Sequence, residues 1–582
     1  MSVNILRQNF ALLSLGIKVL CFFVILYTDI ILAQNVQNSG QTAQVRPRVI
    51  PPRQPPALPT PQPLPEIPLE TTPTPPITPE LPNIPGNITV TQFIFAGNTA
   101  FSNEELAQVT APFTNRPITF AELLQVETAV TKLYTNAGYL NSGAMIPANQ
   151  TLNPTAAIVK IQIIEGGIED IRVTVDGRLK PEYIQSRLAI ATTKPLNQNR
   201  LLEALQLLQL NPLIETISAE LSTGTRPELS LLTVRVKEAD TFNIELVADN
   251  GRNPSVGSFQ RGMLLNHGNL LGYGDRFSLE YINTDGSNSL DLDYTIPVNP
   301  RNGEITIAGG LNYSRVIEEP FDELDITGNS PYFELTFRQP VIQTPTQELA
   351  LGVIASHQVS SNEILGFNFP LSPGADENGQ TRISAVRLFQ EWIKRSPQDV
   401  LALRSQFNIG LSFGATINEA PPDSRFFDWR FQGQYVRSLA PDTLLVLRSD
   451  VQLADRPLVP LEQFALGGLY SVQGYRQDLL LTDNGFFTSA EVRVPILRVA
   501  SVQGLLQVVP FVGFGIGWNN SDNPIPTPDT NTLVGVGVGL QWQMSDRLRA
   551  RFDWAIPLTN VDSSNNTLQE QGLYFSINLS LF

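Results

Sequence analysis

The sequence predicts α+β repeats followed by an all-β transmembrane barrel of sixteen antiparallel strands. Three observations carry this. From Phe242 onward apolar and polar residues alternate with period two, the period of a strand with one face in each environment. Connections between these runs alternate short and long, as on the two rims of a membrane barrel. Upstream, one β-α-α-β-β pattern of ~75 residues occurs twice, which is an internal repeat.

Residues 1–33 read as a signal peptide. Arg7 and Lys18 precede the apolar run VLCFFVILY (19–27), and cleavage is expected after Ala33. The run is shorter than the ~20 residues a spanning helix needs. Residues 34–86 form a proline-rich, disordered linker. Its stretch 47–86 holds sixteen prolines, which removes ladder donors and favours a polyproline-like spacer. Forty such residues, at ~3.1 Å each, reach about 120 Å when extended.

The first repeat occupies 87–166. TVTQFIFAGN is a strand ending in a Gly-Asn turn. Ser102 with Glu105, and Thr119 with Glu122, are spaced as capping boxes that open two helices. GYLNSGAMIP and AAIVKIQIIEG supply two further strands. The second repeat, 167–239, follows the same order: IEDIRVTVDG, a helix from Lys180, the leucine-rich NRLLEALQLLQLNP, then ETISAELSTG and LSLLTVRVKE.

The barrel takes 240–582. In LDLDYTIP, Leu290, Leu292, Tyr294 and Ile296 oppose Asp291, Asp293 and Thr295. In RLRARFDWAIP, Leu548, Phe552, Trp554 and Ile556 oppose Arg549, Arg551 and Asp553. Sixteen such runs of ~21 residues, connections included, suit membrane strands of 9–11 residues. Connections such as GYGD (272–275), SPQD (396–399) and MSDR (544–547) are tight; those after 315, 358, 418 and 518 are long and polar. A soluble sandwich would turn its polar faces outward; here only a closed barrel satisfies the backbone in lipid. Outer-membrane lipid is therefore an expected partner.

Composition narrows the function. Basic residues number 39 against 55 acidic, a net charge of −16, which argues against nucleic acid as a partner. Two histidines, His267 and His357, and one cysteine, Cys21, supply neither a metal cluster nor a nucleophile–base constellation. No cofactor, metal or enzymatic activity is expected.

One loop stands out. About 30 residues separate DTLLVLRSDVQLA (442–454) from FFTSAEVRVPIL (486–497), far beyond an ordinary hairpin, and they include GGLYSVQGYRQ (467–477). Later, PFVGFGIGW places Gly513, Gly515 and Gly517 on one face, and LVGVGVGLQWQ repeats this with Gly535, Gly537 and Gly539. Apolar residues face lipid, so the glycines face the lumen. Glycine inside a strand marks a bend or a close backbone approach. The two tracks are expected to seat the loop, with Arg476 against an inward carboxylate, Glu491 or Asp553.

In its order of parts the chain resembles the two-partner secretion translocators of the outer membrane, the haemolysin secretion/activation family. FIFAGNTAFSNEEL and YTNAGYLNSGAMIP resemble a polypeptide-transport-associated (POTRA) domain, and NHGNLLGYGDRF (266–277) resembles the first periplasmic turn of these barrels. The resemblance implies two POTRA domains before the barrel. It also implies a pore loop whose Val-Arg-Gly-Tyr motif corresponds to Val472, Gln473, Gly474 and Tyr475. The family's arginine is Gln473 here. Its aspartate partner, in a Phe-x-Asp-x-Gly motif, is absent from Phe511-Val512-Gly513-Phe514-Gly515. Joint loss is electrostatically coherent, because either charge left alone in a confined site is costly.

The implied function is export of a large, β-helical secreted partner, recognised unfolded by the POTRA domains. The alternatives are a factor that inserts other barrels and, third, a passive porin. The terminal phenylalanine of GLYFSINLSLF resembles the signals read by the barrel-assembly machinery during biogenesis.

Overall fold

A computed structural model describes residues 69–71, 87–561 and 567–581. The expected signal peptide with its cleavage site, and most of the proline-rich spacer, lie outside these residues. The chain forms two compact units, which divide at Thr241/Phe242.

The spacer differs from expectation at one point: Leu69–Thr71 (β1) is a short strand. It lies in PLETTP, where four residues between Pro68 and Pro73 keep their N–H donors. The first repeat contains β2 (Asn87–Ala96), α1 (Asn103–Thr110), β3 (Pro117–Thr119), α2 (Phe120–Asn136), β4 (Gly143–Met145) and β5 (Ala157–Ile164). The second contains β6 (Gly167–Asp176), α3 (Pro181–Ala191), α4 (Gln198–Gln209), β7 (Ile214–Thr223) and β8 (Leu229–Glu238). The sheets run β3-β2-β5-β4 and β1-β7-β8-β6, so β1 adds in parallel to the edge strand β7, opposite Ala219–Leu221.

Both capping boxes form. Glu105 N donates to Ser102 Oγ (3.2 Å) and Ser102 N to Glu105 (2.8 Å); Thr119 and Glu122 are joined alike. The helices bury Leu106, Val126, Val130 and Tyr134 in one core, and Ile184, Leu188, Leu201 and Leu205 in the other. A buried carboxylate ties the first core together. Glu165 accepts from the Thr99 hydroxyl, Thr99 N (2.6 Å), Ala100 N (2.8 Å) and the Tyr134 hydroxyl (3.0 Å). Burial pushes its carboxyl up, but these hydrogen bonds outweigh that and hold it below the usual carboxylate range. The repeats join where Asn197, the cap of α4, donates to Ala137 O, and Gln198 N to Gly138 O, both at 2.9 Å.

From Phe242 the chain closes into a barrel. Its strands are β9 (Phe242–Asp249), β10 (Gln260–Gly268), β11 (Arg276–Asn283), β12 (Ser287–Pro297), β13 (Glu304–Arg315), β14 (Thr327–Thr344) and β15 (Gln347–Ile364), followed by a two-residue β16 (Phe367–Asn368). They continue as β17 (Gln380–Arg395), β18 (Asp399–Leu411), β19 (Phe427–Ala440) and β20 (Thr443–Ala454). After β21 (Phe464–Leu466) and β22 (Leu480–Thr482), which pair only with each other, come β23 (Asn484–Val499), β24 (Gly504–Trp518), β25 (Thr532–Met544), β26 (Leu548–Pro557) and β27 (Leu573–Ser580). β27 pairs with β9, so sixteen antiparallel strands close without an edge.

Alternation follows the environment. Leu290, Leu292, Phe552, Trp554 and Ile556 are exposed on the outer face, whereas Arg551 and Asp553 turn inward. Among the described residues no helix is long and apolar enough to cross a membrane; the strands are the spanning elements. One rim carries the short turns, and the other carries the long connections together with one tight turn, 284–286, between β11 and β12. The connection expected after 358 begins only after Ile364, because β15 continues its ladder with β17 to Ser361 and pairs with β16 beyond it.

Candidate functional site

The connection between β20 and β23, residues 455–483, folds back into the lumen from the long-loop rim. Its two limbs form the small ladder β21–β22, in which Phe464 faces Thr482 and Leu466 faces Leu480. A local core of Phe464, Leu466, Val472, Tyr475 and Leu480 packs against Phe487 of β23 and Leu533 of β25. This explains the loop's apolar composition: it buries its own side chains as a lumenal subdomain. At its base the buried Asp483 carboxylate accepts from Leu458 N and Asn520 N, both at 2.8 Å, tying the loop to the 519–531 connection.

The glycines divide into two groups. Gly513 and Gly535 are direct cross-strand partners beneath the tip. A β-carbon at Gly535 would stand 1.9 Å from the Gln473 carbonyl oxygen; one at Gly513 would meet Val472 at 3.5 Å. A β-carbon at Gly515 would reach Leu466 at 2.8 Å, and one at Gly517 would reach Thr482 at 2.4 Å. Gly485, which pairs with Gly517 and faces Phe464 in the same way, extends this floor onto β23; the strand-like alternation of FFTSAEVRV did not single it out. Gly537 and Gly539 face other neighbours. The Phe511 ring, directly across from Gly537, and the Trp554 carbonyl stand nearest Gly537, and the Asp553 carboxylate stands nearest Gly539.

The tip motif is held by hydroxyls. Tyr475 Oη donates to Val534 O (2.8 Å) and accepts from Thr559 N (3.1 Å). Tyr574, fully buried on the last strand, accepts from Gly474 N (2.9 Å) and donates to Tyr475 O (2.6 Å). Gly474 has φ +105°, a conformation that favours glycine. Tyr574 is not legible in GLYFSINLSLF as an assembly signal, because that resemblance rests on the terminal phenylalanine. An aromatic hydroxyl on the opposite phase was the available signal.

The charges pair differently from the expected arrangement. Arg476 is bidentate to Glu318 (3.0 and 2.8 Å) and lies 3.6 Å from Glu570, both in other long-rim connections. Glu491 and Asp553 are instead occupied by Arg551, at 2.9 Å to Glu491 and 2.8 Å to Asp553, and Arg493 also binds Glu491. Arg551 with Asp553, and Arg493 with Glu491, sit two residues apart on one inward face, which favours these wall pairs, whereas Arg476 lies among the long connections. Gln473 Nε2 still reaches Asp553, at 3.1 Å. Cavities of about 440 and 380 Å³ flank the loop, the first lined by Arg338, Arg387, Arg404 and Glu391 and the second by Arg448, Glu491 and Asp553.

Comparison with known proteins agrees with this fold. The family of haemolysin secretion/activation proteins ShlB/FhaC/HecB matches residues 228–542, and the ShlB-type POTRA domain matches 88–166. The heme/hemopexin transporter protein HuxB of Haemophilus influenzae (strain 86-028NP) is 22% identical over 457 residues, covering 75% of this chain and 77% of that protein. The outer membrane transporter CdiB of Escherichia coli is 22% identical over 465 residues, covering 75% and 74%. The solved structure of CdiB from Escherichia coli superposes with a TM-score of 0.67 at 20% identity, covering 87% of this chain and 93% of that one. CdiB from Acinetobacter baumannii gives 0.61 at 17%, covering 97% and 99%. With the family match spanning more than half its length, the chain belongs to the ShlB/FhaC/HecB haemolysin secretion/activation family, the two-partner secretion transporters of the outer membrane.

Proposed function

We propose that this protein exports an unfolded secreted partner, captured in extended form by the POTRA repeats and passed through the barrel, with loop 455–483 as the gate. The barrel lies in the outer membrane and the repeats in the periplasm, so the short-turn rim is the entrance. The relatives HuxB and CdiB, both named as transporters, support export as the class of function.

One observation carries the capture step: the edge of the second repeat accepts an added strand. Leu69–Thr71 lies there, in parallel register with Ala219–Leu221 of β7. An edge that takes a strand from its own chain offers the same row of backbone groups to a client, and main-chain pairing tolerates many sequences. The proline-flanked strand then acts as a placeholder that an incoming segment displaces.

Replacing residues 69–72 with prolines removes the donors of the placeholder. The full-length variant is expected to bind an extended segment of the secreted partner several-fold more tightly, since no resident strand need leave. Pull-down of that segment measures it. Unchanged binding would move the capture site away from β7.

A further inference from the structure

We infer that the electrostatic lock on the loop lies in ion pairs on its two limbs and not in a charge at its tip, so that Arg387, Glu318 and Glu570 are positioning residues for the gate. This rests on reading the loop as a gate, but it concerns what holds the loop, whatever passes beneath.

On the descending limb, Glu462 makes a bidentate pair with Arg387 of β17, at 3.0 and 2.6 Å, with side chains 10% and 15% exposed. On the return limb, Arg476, 6% exposed, makes its bidentate pair with Glu318 and faces Glu570. The limbs are thus fastened to different parts of the protein, one to the wall and one to the long-rim connections.

The tip is made of different contacts. Gln473 donates one hydrogen bond to Asp553, while its side-chain amide oxygen, Oε1, is buried without a partner. Asp553 does not depend on the loop for compensation, because Arg551 donates to both its oxygens at 2.8 Å. Withdrawing the tip therefore leaves the wall charges paired. Withdrawing either limb takes a low-exposure guanidinium or carboxylate from its bidentate partner, the costly event for charges held away from water. The wall arginine has made a neutral tip tolerable, and the electrostatic hold has passed to the limbs.

The test reads loop position directly. Val472, in the tip itself, is fully buried while the tip is seated, so a Val472→Cys probe, in full-length protein carrying Cys21→Ser, reports release through its labelling rate with a membrane-impermeant maleimide. Glu462→Gln and Arg476→Gln are each expected to raise that rate about tenfold or more, as loss of one partner of a buried pair implies. Gln473→Ala should raise it less than roughly threefold, because Asp553 keeps both contacts to Arg551 and the truncation also removes a buried amide oxygen that has no partner, which offsets the one hydrogen bond lost. The exchange Arg387→Glu with Glu462→Arg should return the rate to that of the parent. Heat-modifiability on gels confirms that each barrel is assembled, and if a single variant fails to assemble, the exchange pair decides. Labelling of Gln473→Ala as fast as the limb variants, or no restoration by the exchange, would overturn the assignment. Secretion is not the readout, so a failure here is distinct from a failure of the export reading.

Discussion

On the β23–β25 side of the lumen, Gly485, Gly513, Gly515, Gly517 and Gly535 present bare backbone to the loop. On the β14–β20 side the wall presents paired charge, of which Arg387 holds the loop at Glu462 while the other pairs close within the wall. Arg338 bridges Glu348 and Glu391, Arg404 shares Glu391, and Arg430 binds Asp450. Both faces obey one alternation, yet they serve opposite ends. Glycine removes side chains so that another backbone can lie close, which suits a loop that seats there. Long paired side chains keep a wall hydrated and non-adhesive, which suits a passing polypeptide. The difference teaches that in a lumen the inward positions are free of the lipid constraint and can be specialised strand by strand.

The largest effect expected from breaking this contrast is at Gly535. Gly535→Val places branched carbons where the Gln473 carbonyl now lies, 1.9 Å from the new β-carbon. Overpacking of about 1–3 kcal/mol is enough to unseat the tip, and secretion should fall roughly ten- to a hundredfold. Heat-modifiability and barrel abundance should stay at parent levels, since the closed ladder is untouched. Parent-level secretion would show that the tip does not need this floor.

Tyr574→Phe comes next. It removes the hydroxyl that joins Gly474 N–H to the Tyr475 carbonyl. Loss of a buried double contact costs about 1–3 kcal/mol. Labelling of a Val472→Cys probe should rise about tenfold, with no change in ion selectivity. A selectivity change instead would mean that the tyrosine acts on the conduit.

Glu391→Gln tests the other wall. Arg338 keeps Glu348 and Arg404 keeps Gln406, so the fold should persist while the lumen gains one positive charge. Reversal potentials in planar bilayers should shift toward anions, by roughly twofold in permeability ratio, and loop labelling should not change. A loop response would erase the division between walls.

The barrel was legible because lipid imposes one rule on every strand: Leu290 and Trp554 must face out wherever they fall. The repeats were legible through local chemistry, such as Ser102 and Glu105 three residues apart. The floor was legible in part, since the glycine tracks stand out against that alternation. Its limits were not, because they depend on register. Gly537 is covered by Phe511 only through cross-strand pairing, which neither strand states alone. The loop's charge partners were hidden for a similar reason. Arg476 and Glu318 lie 158 residues apart in two irregular connections, where no periodicity links them. Nor did the proline count reveal the pairing of Leu69–Thr71, since a dense average conceals a four-residue gap.

The smallest expected effect is the sharpest test of the contrast. Glycine tracks can serve either close approach or strand curvature, and Gly513 and Gly535, opposite each other in one ladder, share whatever curvature the wall has. Their neighbours differ. A β-carbon on Gly513 meets Val472 at 3.5 Å, an ordinary contact, whereas one on Gly535 collides with the loop backbone. If close approach governs, Gly513→Ala should secrete within roughly twofold of the parent and gain about 0.5–1 kcal/mol of stability from the lost glycine entropy. Gly535→Ala should already be impaired. If curvature governs, the two alanines should cost alike, because each stiffens the same stretch of wall equally. Secretion assays of the two variants side by side, with thermal unfolding followed by heat-modifiability, separate the cases. A matched loss at both positions would mean that the glycines shape the strand and the loop merely occupies the space they leave.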